Sequence, residues 1–219
     1  NLNYFTDVRP EFTPGETLNS YHVKLVVVEK ETHGSFTFGG GFSPSSGVSI
    51  FSDLFWDNIF GTGQLIMLKG NFSLGGKSHF NRQSTYQFKY HNPWMWDERK
   101  SFTFKTWHTK GRINSANPIT GDLSTRDESR RGVSSTFGLP YSYEFYTTHR
   151  LKHEFVYLSE KEQHYNIYSY TLGLNYDTRD MRLNPTKGMY HTAHIEKAVD
   201  VNHYSLEFTQ LDLGSRYFF

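Results

Sequence analysis

The sequence contains no cysteine. That absence excludes thiol nucleophiles, disulfides and thiolate metal sites. Also missing is any apolar run near the roughly 20 residues that a membrane-spanning helix requires. The longest candidate, residues 23–28, is far too short. No signal peptide opens the chain, which starts in mid-pattern at Asn1 and is expected to have lost a leader or further N-terminal domains. Charge of one sign is scarce in net terms: 23 Lys and Arg against 22 Asp and Glu leave +1. Such a balance offers no electrostatic case for nucleic-acid binding.

Aromatic residues are plentiful. The 219 residues include 15 Tyr and 19 Phe, and the aromatic share is 17%. The average composition is nevertheless polar. Many aromatics on a polar average point to strands with one apolar face and one wet face.

The end of the chain carries this pattern in its clearest form. Leu211, Leu213, Tyr217 and Phe219 fall on one side of a strand, with Asp212, Gly214 and Arg216 on the other. Chain termini usually fray in water. Aromatics at the last positions make sense where a final strand meets lipid on one face. The polar-x-Gly-x-x-aromatic-x-aromatic arrangement of Asp212, Gly214, Tyr217 and Phe219 resembles the sorting signal of bacterial outer-membrane barrels. Its presence is expected to mark a complete, if short, barrel.

Residues 1–31 read differently from the rest. Two strand-like runs, 4–8 and 22–29, are separated by the turn-rich Pro14-Gly15-Glu16. They are too little to fold alone and are expected to end a small periplasmic α+β module. From Gly34 onward about ten segments alternate with period two. They are marked by Phe36, Phe38 and Phe42; residues 48–56; Ile66, Leu68 and Phe72; Tyr86, Phe88 and Tyr90; Phe102 and Phe104; Val133, Phe137 and Tyr141; Leu151, Phe155 and Tyr157; Tyr168, Leu172 and Tyr176; 189–199; and 204–219.

The connections sort alternately into two classes, as an up-and-down barrel requires. One class is polar: 43–47, 75–78, the long 111–130 stretch, 159–163 and 200–202. The other contains 58–63, 91–99, 142–147 and 177–188. In the last segment Tyr204, Leu206 and Phe208 are out of phase with Leu211, Leu213, Tyr217 and Phe219. Either a bulge near Thr209 and Gln210 shifts the phase, or the upper aromatics point inward.

Together these residues resemble the BamA/TamA/Sam50 superfamily of outer-membrane barrels, the bacterial surface antigen proteins. Phe38-Gly39-Gly40-Gly41-Phe42-Ser43 is similar to the glycine-rich first strand of that family. Residues 56–64 resemble its first periplasmic turn and Tyr90-His91-Asn92-Pro93-Trp94 its second. Tyr176-Asp177-Thr178-Arg179-Asp180, followed by Pro185, Gly188 and Tyr190, is the most specific match. The resemblance implies an all-β, transmembrane, antiparallel up-and-down β-barrel over 32–219. The segment 1–31 is then the C-terminal remnant of a POTRA-like domain in the periplasm. Family barrels have sixteen strands, so about ten imply a shortened member. No Val-Arg-Gly-Phe-like lumenal motif is present; Arg131-Gly132-Val133 is the nearest match, in another place.

Chemistry weighs little beside this. Eleven histidines invite a metal reading, and His149 and His153 have a helical ligand spacing. In a strand that spacing puts them about 13 Å apart, so no metal site is expected. Asp177, Arg179 and Asp180 suit a structural turn held by an Arg–carboxylate pair better than an acid/base site. Residues 45–47 lack a nucleophile-elbow frame. Trp56, Trp94, Trp96 and Trp107 are expected in an interfacial girdle. No catalytic constellation or cofactor is expected.

The family resemblance implies a noncatalytic barrel related to protein-insertion factors, acting through a weak seam. One side of that seam would be Phe36, Phe38, Gly39, Gly40, Gly41 and Phe42, the other Leu211, Leu213, Gly214, Tyr217 and Phe219. Glycines would leave its first strand a thin, poorly packed edge. Expected partners are outer-membrane lipid, client outer-membrane proteins, periplasmic assembly subunits and a second copy of the chain. An alternative is a membrane anchor or secretion barrel for an N-terminal passenger such as a patatin-like lipase. A soluble β-sandwich would purify without detergent. The expected outcome is fractionation with membranes and a monodisperse peak only in detergent, checked by gel filtration.

Overall fold

The computed structural model describes residues 5–17, 20–30, 34–43, 47–73, 83–96, 98–116, 123–159, 162–202 and 204–219. Two antiparallel sheets account for its regular structure. The first is a hairpin of β1 (Phe5–Pro14) and β2 (Tyr21–Glu29). The second contains ten strands joined in chain order: β3 (Gly34–Ser43), β4 (Gly47–Ile59), β5 (Gln64–Ser73), β6 (Ser84–Met95), β7 (Lys100–Ala116), β8 (Leu123–Pro140), β9 (Phe145–Leu158), β10 (Gln163–Asp177), β11 (Gly188–Val199) and β12 (Phe208–Phe218). Every neighbour in that order is also a neighbour in sequence, which makes the sheet a meander. Among the described residues no helix is long and apolar enough to cross a membrane.

The alternation expected from the sequence is the physical basis of the sheet, because side chains on a pleated strand point to opposite faces. Register carries each face across the strands: Leu54 pairs Leu68, Leu68 pairs Phe88, Phe102 pairs Phe137, and Leu172 pairs Ile195. This is the apolar outward face. Between those residues lie Asp53 opposite Lys69, Gly132 opposite Glu154, and His194 opposite Asp212, which form the polar inward face. Register shifts occur between Trp56 and Ile59 and between Asn92 and Met95. Both lie in the turn-like motifs noted above, and the second holds Pro93, which cannot donate to a ladder.

Three expectations change. The polar stretch 111–130 is mainly strand: β7 and β8 stay paired from Gly111 with Glu128 out to Ala116 with Leu123. Its polar residues read as a loop only because no lipid-facing apolar partner alternates with them. Second, β11 and β12 pair without a shift from Gly188–Phe218 to Ala198–Phe208, so the phase change needs no bulge. Tyr204 and Leu206 instead lie outside β12, bonded across β10: the Asn166 amide donates to the Tyr204 carbonyl at 2.7 Å, and the Leu206 amide to the Asn166 carbonyl at 2.9 Å. Phe208 points inward, against Val156, Ile167 and Ala198. Third, Trp107 leaves the proposed girdle. It alternates with outward Phe104 and Thr106, and its Nε1 donates to Glu154 on the inward side at 3.1 Å. Trp56, Trp94 and Trp96 are exposed near the short turns. Residues 44–46 and 74–82, which include parts of two expected loops, lie outside the described residues.

Close packing on the inward face is testable at Gly132. A Cβ there would sit 2.5 Å from the Trp107 ring and 2.8 Å from the His153 carbonyl. Gly132→Val is expected to destabilise the sheet by about 1–3 kcal/mol through overpacking. The check is a lower temperature for loss of the compact, heat-modifiable gel band.

Candidate functional site

The site proposed from sequence has three parts: a first strand, a last strand and a turn. β3 and β12 stand at opposite ends of the sheet order. Among the described residues β3 pairs with β4 and β12 with β11. Phe36, Phe38 and Phe42 are exposed on the outward face of β3, as are Leu211, Leu213 and Tyr217 on β12, with Phe219 exposed at the end of the chain.

The glycines of β3 are not equivalent. A Cβ on Gly39 would fall 2.5 Å from Cζ of Phe51, whose ring lies across the strand from β4. That ring lies over Gly39 and covers the inward face, so a side chain at this position would have to displace it. At Gly41 a Cβ would meet only the Ser49 hydroxyl, at 3.7 Å. Gly40 faces outward, where a Cβ would come 3.0 Å from the Ser49 carbonyl. The edge is therefore thin at Gly40 and Gly41 but covered at Gly39.

On β12, Asp212 and Gly214 face inward. Gly214 accommodates the Thr192 hydroxyl, which a Cβ would approach to 2.6 Å. Asp212 borders a hollow of about 380 Å³ together with Thr136, Arg150, Thr171, His194 and Glu196. That hollow contains a network that reading the apolar positions did not reveal. Arg150 Nη2 donates to Glu196 Oε2 at 3.1 Å and to the Thr171 hydroxyl at 3.0 Å. Lys152 reaches Glu196 Oε1 at 2.7 Å, and the Ser169 hydroxyl donates to the same oxygen at 2.6 Å. A second network joins Arg130 to the buried Glu128 and, at 3.4 Å, to Glu154. Charges withdrawn from water must be matched in this way, or the desolvation cost is unmet. The available signal was polar alternation, as in Arg150, Lys152 and Glu154, lying between the apolar positions.

The third part, between β10 and β11, is built by its own side chains. Arg179 donates twice to the Asp177 carboxylate, Nε at 2.8 Å and Nη2 at 2.9 Å, and its guanidinium lies 4.5 Å from the Tyr190 ring centroid. Asp180 accepts from the amides of Met181 at 2.9 Å, Thr186 at 2.9 Å and Lys187 at 3.2 Å, and from the Thr186 hydroxyl at 2.5 Å. The Thr186 hydroxyl, then the backbone amides, hold the Asp180 carboxyl well below the usual carboxylate range. Gly188 has φ +106°, and a Cβ there would meet the Thr178 carbonyl at 2.3 Å, so only glycine fits. Pro185 lies within the same turn. Thr178, within the motif, accepts from the Met189 amide at 3.0 Å, and Thr186 is the supporting residue that the motif did not single out. The carboxylates serve the backbone, consistent with a brace.

Histidines at 149 and 153 do not converge. His149 Nδ1 lies 2.6 Å from the Tyr170 hydroxyl, and His153 Nε2 lies 3.1 Å from Asn166 Oδ1. Among the described residues no group of three or more His, Asp or Glu could hold a metal ion.

The profile of the Omp85 superfamily domain matches residues 58–219. The chain belongs to the Omp85 superfamily. Its outer-membrane character follows from that membership, in agreement with the alternation of its faces. The match takes in β5 to β12 and leaves β3 outside. Among solved structures the fold is similar to BamA from Haemophilus ducreyi lacking POTRA domains 1–3, with a TM-score of 0.58 and 17% identity. That likeness covers 91% of this chain and 40% of the BamA chain, and at this identity it speaks to fold alone. No curated protein matches the sequence.

Acid should weaken the brace in this Omp85 chain. A carboxyl lowered by folding adds stability above its ordinary value near 4. That contribution is lost as pH falls through the lower, folded-state value. Protection of the Thr186 and Lys187 amides against exchange, taken relative to the intrinsic rate at each pH, is expected to fall in acid for the native chain. Asp180→Asn should lower that protection already at neutral pH and flatten the response. Gly188→Ala is expected to cost roughly 1–3 kcal/mol from left-handed strain before its clash is counted, checked by thermal unfolding in detergent.

Proposed function

We propose that this protein is a noncatalytic outer-membrane assembly factor that works through a seam between β3 and β12. The observation that carries the reading is the sheet order, with these two strands as its ends. In hydrocarbon every backbone donor and acceptor needs a partner. Two edges of one meander therefore close on each other, pair with an incoming strand, or pair with another chain. A closed barrel joins Phe36, Phe38 and Phe42 to the neighbourhood of Leu211, Leu213 and Tyr217. Gly40 and Gly41 add no side-chain packing there, so backbone hydrogen bonds hold most of the contact. An incoming client strand takes over those bonds by β-augmentation, and clients of this kind are other outer-membrane proteins.

In this reading the short turns, including the Asp177–Arg179 brace, face the periplasm. The β1–β2 hairpin is the end of a POTRA-like module on the same side, where periplasmic assembly subunits would dock. Asp212, Gly214, Tyr217 and Phe219 act as the sorting signal for the chain's own insertion.

A second reading, an anchor for an N-terminal passenger such as a patatin-like lipase, draws on the inward face. Trp107, Glu128, Arg130 and Glu154 occupy it, and a barrel of about this size fills with side chains. A dimer joined edge to edge would give a wider barrel.

The absence of cysteine makes a decisive test simple. Phe38→Cys with Leu213→Cys should crosslink on oxidation, locking the seam, while each single variant should not. Insertion of a client barrel into vesicles is expected to fall sharply in the oxidised protein and recover with dithiothreitol. Full activity in the locked form would sink the seam mechanism. Crosslinks found between two chains would favour the dimer.

A further inference from the structure

The outward face of the sheet has a furrow that neither the seam nor the brace uses. Register aligns Ser52, Gly70, Tyr86, His108 and Arg131 across five strands, β4 to β8. Ser52 and Gly70 present almost no side chain, so the row sinks beside Leu68 and Phe88 into a hollow of about 570 Å³. A second hollow of about 460 Å³ continues past Arg131 between Val133, His153 and Phe155. The two share Thr106, Trp107 and Arg131, so both open from one cation.

Arg131 is exposed, and its guanidinium lies 4.6 Å from the Phe155 ring centroid. Among the described residues it forms no ion pair. His108 beside it is also exposed, and its ring contact is Tyr86 at 6.5 Å. The next outward carboxylate on β8 is Asp127, four residues further towards the loop end. Arg131 lies eight residues from Leu139, which is near the short turns. That is about 26 Å along a strand, or about 20 Å of height at the usual barrel tilt. In an apolar band about 25 Å tall, that sets Arg131 near the edge far from the short turns, from which its long side chain reaches the headgroup phosphates instead of hydrocarbon.

We propose that the furrow holds one phosphorylated glycolipid of the outer leaflet. Its phosphate sits on Arg131 and His108, and its acyl chains lie in the two hollows. The glycolipid is favoured over a phospholipid because the cation stands at the loop end, where the leaflet's phosphates are borne by glycolipid. Two hollows diverging from one cation also suit a headgroup with several chains. The inference rests on the outer-membrane placement of the chain and on the proposed orientation with its short turns in the periplasm, not on the seam.

The test uses the full chain in detergent, with added hexa-acylated lipid A or, in a separate arm, phosphatidylglycerol, read by native mass spectrometry. Arg131→Gln with His108→Gln is expected to weaken lipid A retention about tenfold, the scale of one charge-assisted hydrogen bond. Gly70→Leu should weaken it similarly by filling the hollow. A Cβ at Gly70 meets only the Ser52 carbonyl at 3.7 Å and Tyr86 Cδ1 at 3.9 Å, so that variant should keep its fold, as the heat-modifiable band will report. Equal retention by folded variants and native chain would overturn the site, as would no retention by the native chain. Phosphatidylglycerol held as tightly as lipid A would overturn the glycolipid assignment. A native chain that needs no detergent would overturn the membrane placement itself, a separate failure.

Discussion

A backbone amide or carbonyl left unpaired in hydrocarbon costs several kcal/mol, and the rest of this structure depends on that constraint. It explains why ten strands pair in simple chain order, with shifts, among the described residues, near two of the short turns. It also sets β3 and β12 apart from the other strands. A meander satisfies its interior strands automatically and leaves its two ends to be satisfied by other means. In the proposed seam, the glycines of β3 and the exposed Leu and Tyr of β12 would set the strength of that last contact without altering the ladder elsewhere.

Once the ladder is set, the pleat divides the side chains between two solvents. The outward face carries aliphatic and aromatic residues. The inward face gathers Arg130, Arg150 and Lys152 against Glu128, Glu154 and Glu196. These groups are confined by the same sheet that excludes lipid, so their charges must neutralise one another at short range. The turn after β10 applies the same economy locally. Asp180 satisfies three amides and a hydroxyl, and Gly188 admits the Thr178 carbonyl where a side chain could not fit.

The apolar half of the pattern was legible in the chain because lipid demands it at every second position. Phe36, Phe88, Phe102, Leu151 and Leu172 each marked a strand that is present. The polar half was harder to read. Residues 111–130 resemble a loop in composition, yet β7 and β8 continue through much of them, since strands beyond the lipid need no apolar face. Trp107 resembled a girdle residue by type, and only its parity on β7 turned it towards Glu154. Tyr204 and Leu206 looked like the start of β12, but a few polar residues redirected the chain across Asn166.

Sequence alone therefore determined the strand period, the turn after β10 with its obligatory glycine, and a chemistry without thiols. These are local properties, set by neighbouring residues and by the solvent each face must meet. The tertiary structure decided which charges meet across the inward face, that Phe51 covers Gly39, and that Ser52, Gly70 and Arg131 share one furrow. Each depends on register between strands distant in sequence. A one-residue slip would turn every such side chain to the other face, and no single strand records which register its neighbours will choose.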